Sequence, residues 1–159
     1  MNNNDILRRI RYALDLRDSA VAAIFKLAGG DIPESLVPDI VKKEDEQGFI
    51  ECSDRELEMF LDGLIIERRG KRENAASDPN LIKKADVTNN MILKKLRIAL
   101  DFREADMLEM FRLGEFEITK SELSALFRNK NHKNYKECGD QLLKKFLNGI
   151  TAHFRQNLK

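Results

Sequence analysis

The sequence predicts an all-α fold: two tandem, pseudo-symmetric copies of a roughly four-helix unit, packed into a compact bundle. Three observations predict it. Apolar residues recur at spacings of three and four rather than two, which is the helical period. A shift of 86 positions lays the chain on itself, with 21 identities in 67 ungapped pairs between residues 3–69 and 89–155. Capping residues stand before the periodic runs, and glycines stand at the ends of several.

The elements follow in order. In the first helix Ile6, Leu7, Ile10, Ala13 and Leu14 share a face, with Arg8, Arg9 and Arg11 largely outside it. Asn3 or Asn4 is the expected N-cap, and Asn89 or Asn90 repeats it, because a short amide can accept from a free N–H of the first turn. A second helix is expected over about 19–28 and 105–113. Gly29 or Gly30 would take the left-handed position at its end in copy one, and Gly114 in copy two. The third helix should begin near Ser35, with Pro38 tolerated in its first turn, and at Thr119, which has capping-box spacing to Glu122. Ser53 and Glu56 repeat that spacing before a fourth helix carrying Leu57, Phe60, Leu61, Leu64 and Ile65 on one face.

The boundaries read as a first repeat over 1–69, a linker over 70–88 and a second repeat over 89–159. The linker "GKRENAASDPNLIKKADVT" is polar, punctuated by Gly and Pro, and has no counterpart in the other copy. It is longer than the usual connection of about 4–6 residues.

Bulk properties narrow the class. A hydrophobic share of 42% beside a charged share of 35% suits a folded, helix-rich chain, and a net charge of +1 is neither a polycation nor an acidic mimic. The charge is uneven, however. Residues 1–75 hold 12 basic against 16 acidic side chains, and residues 76–159 hold 16 against 11. The opening stretch has arginines where a secretory signal would be apolar, and no window approaches the ~20 apolar residues of a membrane span. Cys52 and Cys138 are then expected as reduced thiols, and the expected location is cytoplasmic, with no membrane partner.

Motifs that carry chemistry are sparse. Cys52 and Cys138 occupy matched places before the fourth helix, where a small buried residue is a simpler account than a functional thiol. Asp15 with Arg17, and Asp101 with Arg103, are either sites or helix-end turns, and the turn is the simpler reading. The sequence holds no Gly-rich phosphate loop, nucleophile elbow or helical metal-binding pair. The expectation is therefore a protein that is not an enzyme and takes no metal and no cofactor. An enzyme with a site between the copies is the minority reading; a deep polar cleft with clustered carboxylates there would favour it.

Function is better sought where the copies differ. The loop before the fourth helix reads "KKEDEQGFIECSD" in copy one and "RNKNHKNYKECGD" in copy two. Glu44, Asp45 and Glu46 make the first an acidic surface for a basic partner. In the second, Arg128, Lys130, Lys133 and Lys136 surround His132 and Tyr135, a combination that can hold phosphates and stack on a base. A solvated loop anchored by its aromatic is the plainer account. The leading expectation is a non-catalytic interaction module with a protein partner. Nucleic-acid binding through the basic loop is the alternative, and head-to-tail self-association through the two loops is a third use.

"KKEDEQGF", "FLDGLIIERRGK", "NNMILKKLRIAL" and "HKNYKECGDQLLKKFLNGI" together resemble the bacterial YehS-like family, a group of unknown function. The resemblance spans nearly the whole chain, including the duplication. It implies a small cytoplasmic bacterial protein and implies no activity.

One repeated feature belongs to packing. Gly63 and Gly149 lie mid-helix, each three residues beyond a phenylalanine, Phe60 or Phe146. A glycine there costs about 0.5–1 kcal/mol relative to alanine. Its repetition predicts close approach of another helix to bare backbone.

Overall fold

Helix starts show how far local chemistry dictates the architecture. The computed structural model describes residues 1–70 and 87–156; most of the linker, 71–86, lies outside them. Among the described residues there are eight α-helices and no strand. Copy one contains α1 (Asn3–Leu14), α2 (Asp18–Leu27), a 3-10 turn (Glu34–Leu36), α3 (Val37–Ile40) and α4 (Asp54–Arg69). Copy two contains α5 (Asn89–Ala99), α6 (Glu104–Leu113), α7 (Lys120–Leu126) and α8 (Asp140–Gln156).

The caps of α4 and α7 are those expected. Ser53 and Glu56, and Thr119 and Glu122, exchange side-chain-to-backbone bonds of 3.0–3.2 Å. The caps of α1 and α5 are not. Asn2 caps α1, its amide oxygen accepting from Asp5 N–H at 2.8 Å, and Thr88 caps α5. The expected Asn3, Asn4, Asn89 and Asn90 lie one or two positions too late, and their amides are committed elsewhere.

The end of the second helix also departs from expectation. Gly29 is left-handed (φ 86), as expected for copy one. In copy two Gly114 is not (φ −83), and Glu115 takes the left-handed position (φ 65). Gly114 serves another purpose: a Cβ there would stand 1.9 Å from the Lys145 carbonyl oxygen on α8. The first helices end at Asp15 (φ 53) and Asp101 (φ 56), a residue type that tolerates the left-handed region.

The copies exchange their first helices. α1 packs chiefly on α8, and α5 chiefly on α4, while α2 packs on α4 and α6 on α8 within their own copies. Cross-contacts give the direction. The Met1 amine lies 3.5 Å from Asp140, Arg9 donates to Asn148 at 3.1 Å, and Arg155 pairs with Asp15 at 3.2 Å, so α1 and α8 run parallel. Lys95 reaches Asp62, and Arg69 pairs with Asp101 at 2.7 Å, so α5 and α4 run parallel as well. Asn3 bonds Asp54, and Asn89 bonds Asp140, each at 2.7 Å. All four helices therefore begin at one end of the bundle.

The reciprocity of the exchange makes the relation between copies a pseudo-twofold. A single core runs across both copies, from Leu7, Ile10, Leu57 and Leu61 to Leu93, Leu96, Leu143 and Leu147. Gly63 and Gly149 sit where the sequence placed them, at close approaches. A Cβ on Gly63 would stand 1.9 Å from the Ile24 carbonyl oxygen of α2, and one on Gly149 1.7 Å from the Met110 carbonyl oxygen of α6.

Candidate functional site

The two charge-reversed loops flank the end where the four helices begin. Each is clamped by the asparagine pair of its own copy. Asn4, almost fully buried, donates to the Ile50 carbonyl and accepts from Cys52 N–H, both at 2.8 Å; Asn3 donates to the Cys52 carbonyl at 3.1 Å. In copy two Asn90 donates to the Leu126 and Lys136 carbonyls at 2.9 Å and accepts from Cys138 N–H at 2.8 Å, while Asn89 reaches the Cys138 carbonyl at 3.0 Å. A primary amide suits this post because it offers donor and acceptor together to a backbone segment that has no ladder partner. The signal for the clamp was in the sequence as a repeated Asn-Asn followed, at matched distance, by a repeated Cys-x-Asp.

Beyond the clamp the loops share a turn pattern. Glu46 N–H donates to Lys43 O and Phe49 N–H to Glu46 O; His132 N–H donates to Asn129 O and Tyr135 N–H to His132 O. Upon this common frame Glu44, Asp45 and Glu46 are exposed on one side, and Lys130, His132, Lys133 and Lys136 on the other. Arg128 and Tyr135 are half-buried. Burial pushes the Tyr135 hydroxyl above its ordinary pKa, and Glu137 adds to this. His132 has a structural task, its Nδ1 accepting from Asn134 N–H at 3.0 Å. Lys136 leans back on Glu122 at 3.4 Å. The Glu122 carboxyl is held below the usual range, first by the Thr119 cap bonds and then by Lys136.

The same end exposes an apolar residue, Ile50 (41%), whereas the side chain of Met1 is only 8% exposed. A groove of about 480 Å³ lies under the acidic loop, bordered by Asp5, Arg8, Arg9, Lys43, Glu44 and Asp45. A difference in charge between the copies extends into the bundle beside it. Lys95 is held by Asp62 and Glu58, whereas its repeat mate Arg9 meets Asn148, and Arg9 Nε finds no hydrogen-bond partner among the described residues.

The remaining motifs resolve into scaffolding. Cys52 and Cys138 are buried, and burial together with nearby carboxylates pushes their thiols up to about 12 and about 11. No group of His, Cys, Asp and Glu able to hold a metal ion occurs among the described residues. Asp15 and Asp101 do not pair with Arg17 and Arg103. They close helix-end turns in which Arg11 and Arg97 donate to the Leu16 and Phe102 carbonyls, and their carboxylates reach across to the other copy. Among the described residues an apolar core runs between the copies.

A family model described as "Protein of unknown function (DUF1456)" matches residues 3–70 and again 89–156. The chain belongs to the DUF1456 family. The two DUF1456 matches coincide with the two structural copies. The chain is also similar to the "Uncharacterized protein YehS" of Escherichia coli (strain K12), 40% identical over 159 residues, all of this chain and 99% of that protein. No solved structure matches it. No helix among the described residues of this DUF1456 protein is long and apolar enough to cross a membrane.

Proposed function

We propose that this protein is a non-catalytic interaction module whose partner-binding face is the end of the bundle where the four helices begin. The observation that carries the reading is the pair of loops built on one turn pattern, clamped in the same way, and opposite in charge. A solvated loop has no physical need for either sign. Opposed signs on a common frame are what an oriented protein partner reads, because complementary charge fixes approach and register more than raw affinity. The exposed Ile50 adds an apolar contact that a charged rim lacks. Tyr135, half-buried, offers less open ring than a stacking platform uses, which favours a protein partner over nucleic acid.

The test is affinity capture from a lysate of the organism that makes the protein, with and without nuclease, using the wild type and a variant with Lys130, Lys133, Glu44 and Glu46 all replaced by Ala. Recovery of a protein that survives nuclease and is lost with the variant is expected. Recovery abolished by nuclease favours the nucleic-acid alternative. Equal recovery by wild type and variant, or none, refutes the proposed face.

A further inference from the structure

We infer that the loop-bearing end is self-complementary, and that its occupant is a second copy of this chain docked face to face as a closed dimer. The inference rests on the proposed reading of that end as an interaction face and names the partner.

The geometry comes from the pseudo-twofold. It exchanges α1 with α5 and α4 with α8, and all four begin at one end, so its axis runs along the bundle. The acidic loop and the basic loop therefore stand on opposite flanks of that end. A second copy facing this end can be related by a half-turn about either of two axes lying in the face. About the axis along the line joining the loops, acid meets acid and base meets base. About the axis perpendicular to that line, Glu44, Asp45 and Glu46 of each copy face Lys130 and Lys133 of the other, twice. Had both loops one sign, both arrangements would repel. The charge reversal thus selects one orientation, and a twofold contact stops at two chains.

Two further features bear on this contact. Ile50 is exposed on the same face and is covered when two such faces meet. The four helix N-termini would set positive dipole ends against positive ends. That repulsion is offset by Asp5 in the first turn of α1, Asp54 and Glu56 in that of α4, and Asp140 in that of α8.

The experiment measures mass in solution by light scattering and sedimentation. At low ionic strength the wild type should run at twice the 18.4 kDa of one chain. At about 1 M salt, where the screening length is about 3 Å, it should fall to the monomer. Two variants decide the geometry: Lys130→Glu with Lys133→Glu, which makes both loops acidic, and Glu44→Lys with Glu46→Lys, which removes the acidic surface. All these positions are exposed, so circular dichroism should be unchanged. Each variant alone should weaken dimerisation at least about tenfold, and an equimolar mixture should restore the dimer.

Wild-type monomer at low salt overturns the inference, as do chains growing beyond two or a mixture that stays monomeric. If loop-dependent capture of another protein persists in that case, the interaction face stands and only its self-pairing falls. If neither is seen, both readings fall together.

Discussion

Replacing Gly63 or Gly149 by alanine perturbs the joint that holds the second helix of each copy to the last. The added Cβ would lie 1.9 Å from Ile24 O and 2.8 Å from Ile24 C in one case, and 1.7 Å from Met110 O and 2.7 Å from Met110 C in the other. Ordinary contact begins near 3.4 Å, so the shortfalls are about 1.5 and 1.7 Å. The obstacle is backbone in a helix, which cannot swing aside as a side chain does. The helix pair must therefore separate, and a gap of 0.5–1 Å already forfeits about a quarter to a half of each dispersion contact. Separation also loosens the Phe25–Phe60 and Phe111–Phe146 ring pairs, whose centroids are 5.5 and 5.3 Å apart. Overpacking of this kind costs typically about 1–3 kcal/mol and occasionally more. Alanine returns about 1 kcal/mol through helix propensity. With the overpacking cost near the upper end of its range because backbone blocks the way, the expected net loss is about 2 kcal/mol for each variant. Urea unfolding followed by circular dichroism should show the midpoint falling by about 1 M at unchanged slope. A midpoint that holds or rises in both variants would refute the close-approach argument.

Asn4→Ala and Asn90→Ala should each cost about 2–4 kcal/mol in the same assay, since each strands buried backbone groups, including Cys52 N–H or Cys138 N–H. Surface-like losses below about 0.5 kcal/mol would show that the clamps are dispensable. A thiol reagent at neutral pH should leave Cys52 and Cys138 unmodified in the folded protein and label both after unfolding, because both are buried with raised pKa values. Rapid native labelling of either would contradict this. Acid should destabilise the fold in a definite window. Asn89 holds the Asp140 carboxyl below its ordinary 3.8, and at Asp5 the lowering by Arg8 and the Asn2 cap outweighs burial. The unfolded chain thus binds more protons below about pH 4, so this contribution is fully present above that pH and lost as pH falls through the folded values. A melting temperature indifferent to pH between about 5 and 3 would exclude it.

The duplication, the helical period and the packing glycines were legible because each leaves a local mark: a repeat, a spacing, a residue whose cost needs an offset. The asparagines were legible as polar residues at a helix start, but not as clamps. A cap and a clamp use the same amide, and only the partner tells them apart. Gly114 looked like a turn residue because a glycine after an apolar run usually is one. Its φ of −83 and its place against Lys145 O show a contact between helices, which sequence spacing cannot report. The exchange of first helices was hidden for a deeper reason. Two copies with the same apolar face can pack within or across, and periodicity is identical in both cases. The charge of the loops can be read residue by residue, while their sharing of one end follows only from that exchange.

The exchange also orders events in time. α1 is synthesised before every other described helix, yet its chief packing partner, α8, follows all of them, and the contact from Arg9 to Asn148 spans 139 residues. At about 5–20 residues per second, α1 waits roughly seven to thirty seconds for its chief packing surface. α4 and α5, adjacent in the chain but for the linker, can meet much sooner. Copy one therefore emerges with α1 lacking its chief packing surface, and closure of the described fold is reserved for the moment α8 reaches it.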